Sequence, residues 1–263
     1  MDTNALFSIA GKTAVVTGGS RGIGRMIAEG FISAGADVYI TARKAEACDQ
    51  TAAELNAVGP GKCVSLPFNI AGEQGATAFA AMIAERTPTV DILVNNAGAT
   101  WGAPMDDFPD DAWDKVLDVN VKGLFQLTAK LLPQLRAAAS AENPARVINI
   151  GSVDGINVPG TQNYAYAASK AAVHHLTRQM AHNLTNDHIT VNAIAPGPFP
   201  SKMMSFILDA PGGEEMVAKG VPLGRVGTPE DVAGLAIFLS SRAGSYLTGA
   251  VIPCDGGSST RHQ

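Results

Sequence analysis

The sequence predicts an α/β chain built on a doubly wound, mostly parallel sheet of about seven strands with helices on both faces. Three observations carry that prediction. Short β-branched runs alternate with stretches of helical periodicity, the first run ends in a glycine-rich turn, and 263 residues that are 46% hydrophobic and 16% charged suit one large core. Residues 1–263 are therefore predicted to be a single domain.

The first strand is read at Thr13–Thr17 (TAVVT), and Thr17-Gly-Gly-Ser-Arg-Gly-Ile-Gly24 follows it directly. A helical pattern then runs from Met26 to Ala34 and stops at Gly35. In this strand, turn and helix order, Gly18, Gly22 and Gly24 let the backbone approach a pyrophosphate, whose charge the free N–H groups and dipole of the helix N-terminus stabilise. A Cβ there would hold the phosphate away or forbid the turn. The second strand, Val38–Thr41, leads into Ala42-Arg43-Lys44. An acid at this point would meet the 2′-hydroxyl of NAD, but a cation stands in its place. Arg43, with Arg21 from the turn, would form charge-assisted pairs with a 2′-phosphate, which selects NADP(H).

Further strands are read at 63–66, 92–94 and 146–150. Asn95-Asn96-Ala97-Gly98 follows the fourth, where small residues would border a ligand at the sheet's carboxyl edge. Between the fourth and fifth, Ala112 to Leu135 returns Trp113, Val116, Leu124, Leu127 and Leu131 to one side, as a helix does. Asn120 lies in that run, and Ser152 follows the fifth strand. The next helix opens on Tyr164-Ala-Tyr166-Ala-Ala-Ser-Lys170. Tyr166 and Lys170, four apart, share a helix face, whereas Tyr164 and Lys170, six apart, diverge by about 120°. Of the two phenols, Tyr166 is thus the one set beside Lys170, and Tyr164 is read as a packing neighbour. The last strands are read at 190–194 and 250–253. Before the final strand, residues 196–222 are rich in Pro and Gly yet carry Met203, Met204, Phe206, Ile207 and Leu208, which predicts a substrate loop above the sheet.

Composition excludes several other classes. A formal net charge of −5 with no run of three basic residues argues against a nucleic-acid surface. Met1 to Gly11 lacks the form of a secretory signal, and no apolar stretch is long enough to span a bilayer. Cys48, Cys63 and Cys254 have no paired spacing, so reduced thiols in a cytoplasmic protein are expected. The five histidines include no HExxH, and His174 and His175 point about 100° apart on a helix, so no catalytic metal is predicted.

Taken together, TGGSRGIG at 17–24, NNAG at 95–98, Asn120, Ser152, YAASK at 166–170, Pro196-Gly197 and the terminal Asp255-Gly-Gly resemble the short-chain dehydrogenase/reductase family over nearly the whole chain. Within that family, Ser140 to Ile156 is similar to 3-oxoacyl reductases of the rhamnolipid-synthesis type. The resemblance implies a Rossmann fold and catalysis by Asn120, Ser152, Tyr166 and Lys170. It implies dinucleotide contacts from Gly18, Ser20, Arg21, Gly22, Ile23, Gly24, Arg43, Asn69, Ile70, Asn96, Ala97, Gly98, Tyr166, Lys170, Pro196, Gly197 and Ser201. Ser152 would stabilise the carbonyl oxygen, Tyr166 would exchange its proton, and Asn120 would hold a water leading from Lys170 to solvent. A nearby Lys170 ammonium is expected to lower the Tyr166 pKa.

Three departures from the family pattern stand out. Asn69 replaces a common Asp, Ser201 replaces a common Thr, and the Ser152 to Tyr166 spacing is one residue longer, in a loop that contains Asp154 and Pro159. The resemblance further implies a ketone or secondary-alcohol substrate, with a 3-oxoacyl thioester leading and a polyol or sugar acid as the enzymatic alternative. A dinucleotide sensor without turnover is the alternative from another class, which intact Ser152, Tyr166 and Lys170 argue against. Acyl carrier protein as a partner is left uncertain, because the helix after Lys170 ends in the poorly basic Ala181-His-Asn-Leu-Thr-Asn-Asp-His188. A homotetramer is implied by the family, with Ala167, Ala168, Ala171 and Ala172 small enough for close helix packing.

Overall fold

A computed structural model describes residues 1–260. In chain order its elements are α1 (Thr3–Phe7), β1 (Thr13–Thr17), α2 (Gly22–Ser33), β2 (Asp37–Thr41), α3 (Ala45–Leu55), β3 (Cys63–Ser65), α4 (Gly72–Ala84), β4 (Ile92–Asn95), α5 (Asp110–Leu117), α6 (Leu124–Ala138), β5 (Ala145–Ile150), α7 (Tyr164–Leu184), β6 (Ile189–Pro196), α8 (Ser205–Leu208), α9 (Gly213–Lys219), α10 (Pro229–Ser240) and β7 (Val251–Cys254). All seven strands form one parallel sheet in the order β3-β2-β1-β4-β5-β6-β7. The order reverses direction between β1 and β4, which opens a crevice at their carboxyl ends.

Strand residues alternate between two cores because successive side chains point to opposite faces. Ala14 and Val16 of β1 join Ile27 and Phe31 of α2, Leu55 of α3 and Leu239 of α10 on one face. Val15 joins Phe79 of α4, Leu131 of α6 and Val173 of α7 on the other. A buried polar ladder ties the second layer to the sheet: Asn95 Nδ2 donates to Thr128 Oγ1 and to Asn149 Oδ1, both at 2.9 Å, and Asn149 Nδ2 donates to Thr177 Oγ1 at 2.9 Å. This ladder fixes α7 over β5, and so fixes where Tyr166 and Lys170 fall.

One element differs from its sequence pattern. The helical periodicity from Ala112 to Leu135 is divided by a wider π-helical turn at Asp118–Gly123 between α5 and α6. Asn120, inside that turn, is buried, and its side chain holds the backbone of Ala99 from both sides. Such wide turns recur where a helix redirects a functional side chain. Residues 197–222 contain the short helices α8 and α9.

Candidate active site

The glycine turn after β1 is a cradle made of backbone. Gly18 and Gly22 sit at φ +65° and +53°, in the left-handed region that favours glycine. A Cβ on Gly24 would lie 2.5 Å from Gly18 O, so this position has room for hydrogen alone. Asn96 braces the turn by donating to Thr17 O at 2.8 Å and Gly18 O at 3.2 Å, while Thr17 Oγ1 accepts from the N–H of both Asn96 and Ala97 at 2.9 Å. At the start of α2, Arg21 makes no side-chain capping bond. The first N–H groups of that helix are therefore left for an anion. These features fit the pyrophosphate of a dinucleotide.

Other residues predicted for the dinucleotide surround this cradle. Ser20 O accepts from Thr51 Oγ1 of α3 at 3.0 Å, and the half-buried Ile23 packs on the core. Gly19 N donates to Thr41 O at 3.2 Å, which joins the turn holding Arg21 to the strand end leading into Arg43; both arginines are exposed. Asn69 is exposed and its Oδ1 accepts from Ala71 N at 3.3 Å, with half-buried Ile70 beside it. Pro196 ends β6, Gly197 N donates to Cys254 O at 3.0 Å, and Ser201 comes back over the turn, its Cβ 3.3 Å from where a Cβ on Gly22 would stand.

The predicted catalytic side chains converge beside this cradle. A Cβ on Gly98 would stand 3.3 Å from Asn120 Oδ1 and 3.9 Å from Lys170 Nζ, so Gly98 is the gap across which the two meet. Asn120 Nδ2 donates to Ser169 Oγ at 2.9 Å, and Ser169 Oγ donates to Tyr166 O at 2.7 Å, linking the wide turn to α7. Lys170 is buried, its Nζ donating to Ile150 O at 2.7 Å and lying 5.4 Å from the centre of the Tyr166 ring. Ser152 Oγ accepts from Asp154 N at 3.1 Å, which engages a lone pair and leaves the O–H free to donate. Tyr164 begins α7 with its ring edge-on to Phe108 at 5.7 Å.

The electrostatics correct one expectation. Lys170 does not draw the Tyr166 pKa down: burial pushes the phenol up to about 12, the Asp154 carboxylate adds to the rise, and only a hydrogen bond with Ser152 opposes it. Burial also lowers Lys170 to about 8, against the pull of Asp154. The site therefore keeps the phenol neutral while the ammonium is bound to a backbone carbonyl.

Sequence reasoning missed His174. It follows Tyr166 and Lys170 at the same four-residue interval on α7, and that repeat was its available signal. Its Nε2 accepts from Ser152 N at 3.5 Å, and the ring packs against Gly151 and Gly155, where no Cβ would fit. Burial holds its pKa down at about 4.

Residues 18–259 match the family model described as enoyl-(acyl carrier protein) reductase. The rhamnolipids biosynthesis 3-oxoacyl-[acyl-carrier-protein] reductase of Pseudomonas aeruginosa is 53% identical over 251 residues, covering 95% of this chain and 97% of that one. The gluconate 5-dehydrogenase of Gluconobacter oxydans is 34% identical over 257 residues, covering 96% of each. The solved Pseudomonas aeruginosa RhlG/NADP active-site complex superposes with a TM-score of 0.94 at 52% identity, covering 97% of this chain and 99% of that one.

Proposed function

The chain belongs to the short-chain dehydrogenase/reductase family and is an NADP(H)-dependent oxidoreductase of the ketoreductase type, and we propose that Ser152, Tyr166 and Lys170 reduce the ketone of a 3-oxoacyl thioester or a related apolar ketone to a secondary alcohol. The observation that carries this reading is the convergence of Ser152, the Tyr166 ring and Lys170 Nζ on α7 and the β5 edge, next to a glycine turn with room for a pyrophosphate.

Gly18, Gly22, Gly24 and the first turn of α2 would hold the pyrophosphate, and Arg21 and Arg43 the 2′-phosphate. When bound, the dinucleotide supplies the hydride. Ser152 donates a hydrogen bond to the substrate carbonyl oxygen, where negative charge develops. Tyr166, neutral at pH 7, gives its proton to that oxygen, because an alkoxide is a far stronger base than a phenolate. Lys170 holds the backbone at Ile150 and lies beside the phenol it re-supplies, and Asn120 opposite it anchors the route to solvent.

The exposed apolar side chains Met203 and Phe206 at α8 support an acyl substrate. As for the carrier, Arg136 in the last turn of α6 is already paired with Asp187, just beyond α7, at 2.8 Å, which supports a thioester presented without a docked acidic protein. Exposed Leu117 and Phe125 on α5 and α6 support a homotetramer, readable by sedimentation. Among the described residues no helix is long and apolar enough to cross a membrane, and the free thiols of Cys48, Cys63 and Cys254 support a cytoplasmic location.

The test is NADPH absorbance decay with a panel of 3-oxoacyl thioesters on pantetheine and on acyl carrier protein, 3-oxo esters, and sugar-acid ketones. Turnover of the 3-oxoacyl compounds is expected, with the pantetheine thioester at least as good as the carrier-bound one. NADPH binding without turnover of any ketone would overturn the reading in favour of a sensor. Preferred turnover of sugar-acid ketones would favour the activity named for the Gluconobacter relative.

A further inference from the structure

Two residues beyond Ser152 stands a carboxylate that the reduction does not use. Asp154 lies in the single 3-10 turn Val153–Gly155 and is half-buried. Its N–H donates to Ser152 Oγ at 3.1 Å, and its Oδ2 accepts from Asn163 Nδ2 at 2.9 Å. Asn163 is the residue from which α7 starts. The carboxylate is therefore tethered at both ends, between the serine loop and the helix entrance that carries Tyr166. It is close enough for its charge to raise the pKa of both Tyr166 and Lys170.

The neighbouring rim has the same sign. Phe108, whose ring meets Tyr164, is flanked by exposed Asp106, Asp107, Asp110 and Asp111. Lys115 nearby is engaged over the Trp101 ring at 5.4 Å, and Lys170 is buried on Ile150 O. The exposed arginines Arg21 and Arg43 belong to the nucleotide end of the crevice. Four exposed carboxylates thus stand on this rim beside the single positive charge of Lys115.

We propose that Asp154 is a specificity residue, whose tethered carboxylate turns away ketones bearing a carboxylate near the reacting carbonyl and restricts the site to neutral ketones such as esters and thioesters. This inference rests on the ketoreductase reading above. The discrimination is repulsive: a like charge held in a partly desolvated cleft costs binding that an esterified substrate does not lose. A 3-oxoacyl thioester is neutral beside its ketone, so this repulsion leaves it untouched.

The experiment compares kcat/KM for a 3-oxo ester and for the free 3-oxo acid at pH 7. The wild-type enzyme is expected to favour the ester by roughly tenfold or more. Asp154→Asn keeps an oxygen acceptor for Asn163, and is expected to shrink that ratio by about tenfold, while Asp154→Glu retains it. Because a ratio is read, any general loss of activity in the variants cancels. A second measurement needs no variant: a series of one 3-oxo amide with neutral, carboxylate and quaternary ammonium ends, in which the anion should be the poorest substrate. Equal efficiency with ester and acid, or an unchanged ratio in Asp154→Asn, overturns the proposal alone. Failure to reduce any ketone overturns it together with the ketoreductase reading.

Discussion

The nucleotide end of the crevice and the substrate end are built from different materials. At the nucleotide end the recognition surface is backbone: two left-handed glycines, a third with no room for a Cβ, and a helix start without a side-chain cap. At the substrate end it is side chains, with half-buried Tyr166 pushed up to about 12, and buried Lys170 and His174 lowered to about 8 and about 4. The difference follows from the chemistry each end must handle. A pyrophosphate needs N–H groups and open space, whereas proton transfer needs groups whose protonation state burial and neighbours can set.

That contrast breaks most sharply at Tyr166. Tyr166→Phe removes the acid and leaves the glycine cradle intact, so kcat should fall by about a thousandfold while NADPH affinity changes little. Tyr164→Phe keeps the ring that meets Phe108 and should cost far less. Stopped-flow turnover and NADPH fluorescence titration read the two separately, and a larger loss in Tyr164→Phe would reverse the assignment. The complementary variant is Gly24→Ala, whose Cβ would be driven against Gly18 O. Overpacking there should cost about 3 kcal/mol, seen as roughly a hundredfold weaker NADPH binding or a lowered Tm. NADPH affinity equal to wild type would show that the turn is not the phosphate cradle.

His174 sharpens the comparison through pH. Above about pH 6.5 the imidazole is neutral in both folded and unfolded chains. As pH falls from there to about 4, the unfolded chain takes up a proton that the folded protein refuses, so stability is lost across that window. The loss attributable to this residue is up to about 3 kcal/mol. Thermal melts between pH 7 and pH 4 should therefore fall more steeply for the wild type than for His174→Gln. Parallel curves would mean that His174 titrates as a solvated imidazole. At the nucleotide end the effect is smaller: Arg21→Ala and Arg43→Ala should each raise the NADPH KM by roughly tenfold, less at high salt, with the NADH KM unmoved. An equal change with both dinucleotides would detach these arginines from the 2′-phosphate.

The same division explains what could be read from the chain alone. The glycine turn was legible because glycine spacing next to a β-branched run is a local signal, and TAVVT with GGSRGIG forms both in order. Tyr166 and Lys170 were legible because a four-residue interval on a helix is also local. The wide turn around Asn120 was not: its apolar positions satisfy ordinary helical periodicity, and the partners of the Asn120 side chain, Ala99 and Ser169, lie 21 and 49 residues away. The direction of the Tyr166 shift was misread for a related reason. Sequence adjacency brought Lys170 near the phenol, but burial among distant elements, with the Asp154 carboxylate adding to it, sets the direction. His174 carries no motif, and its role depends on two glycines of another segment making space for the ring.

The smallest expected effect lies on the excursion between β6 and α10, where two phenylalanines make the contrast in miniature. Phe199 is buried, with its ring against Gly227, while Phe206 on α8 is 73% exposed. Truncating Phe199 leaves a cavity in a packed anchor and should cost about 3 kcal/mol of stability whatever the substrate. Truncating Phe206 removes no buried contact from the free protein, so Tm should stay within about a degree. Its contribution should appear only when an apolar chain covers it, at about 0.8 kcal/mol for each methylene that loses its partner. Phe206→Ala is therefore expected to lower kcat/KM several-fold for a ten-carbon 3-oxoacyl thioester and hardly at all for a four-carbon one, with Met203→Ala in the same direction. A loss independent of chain length would place the acyl group elsewhere and return α8 to ordinary loop packing.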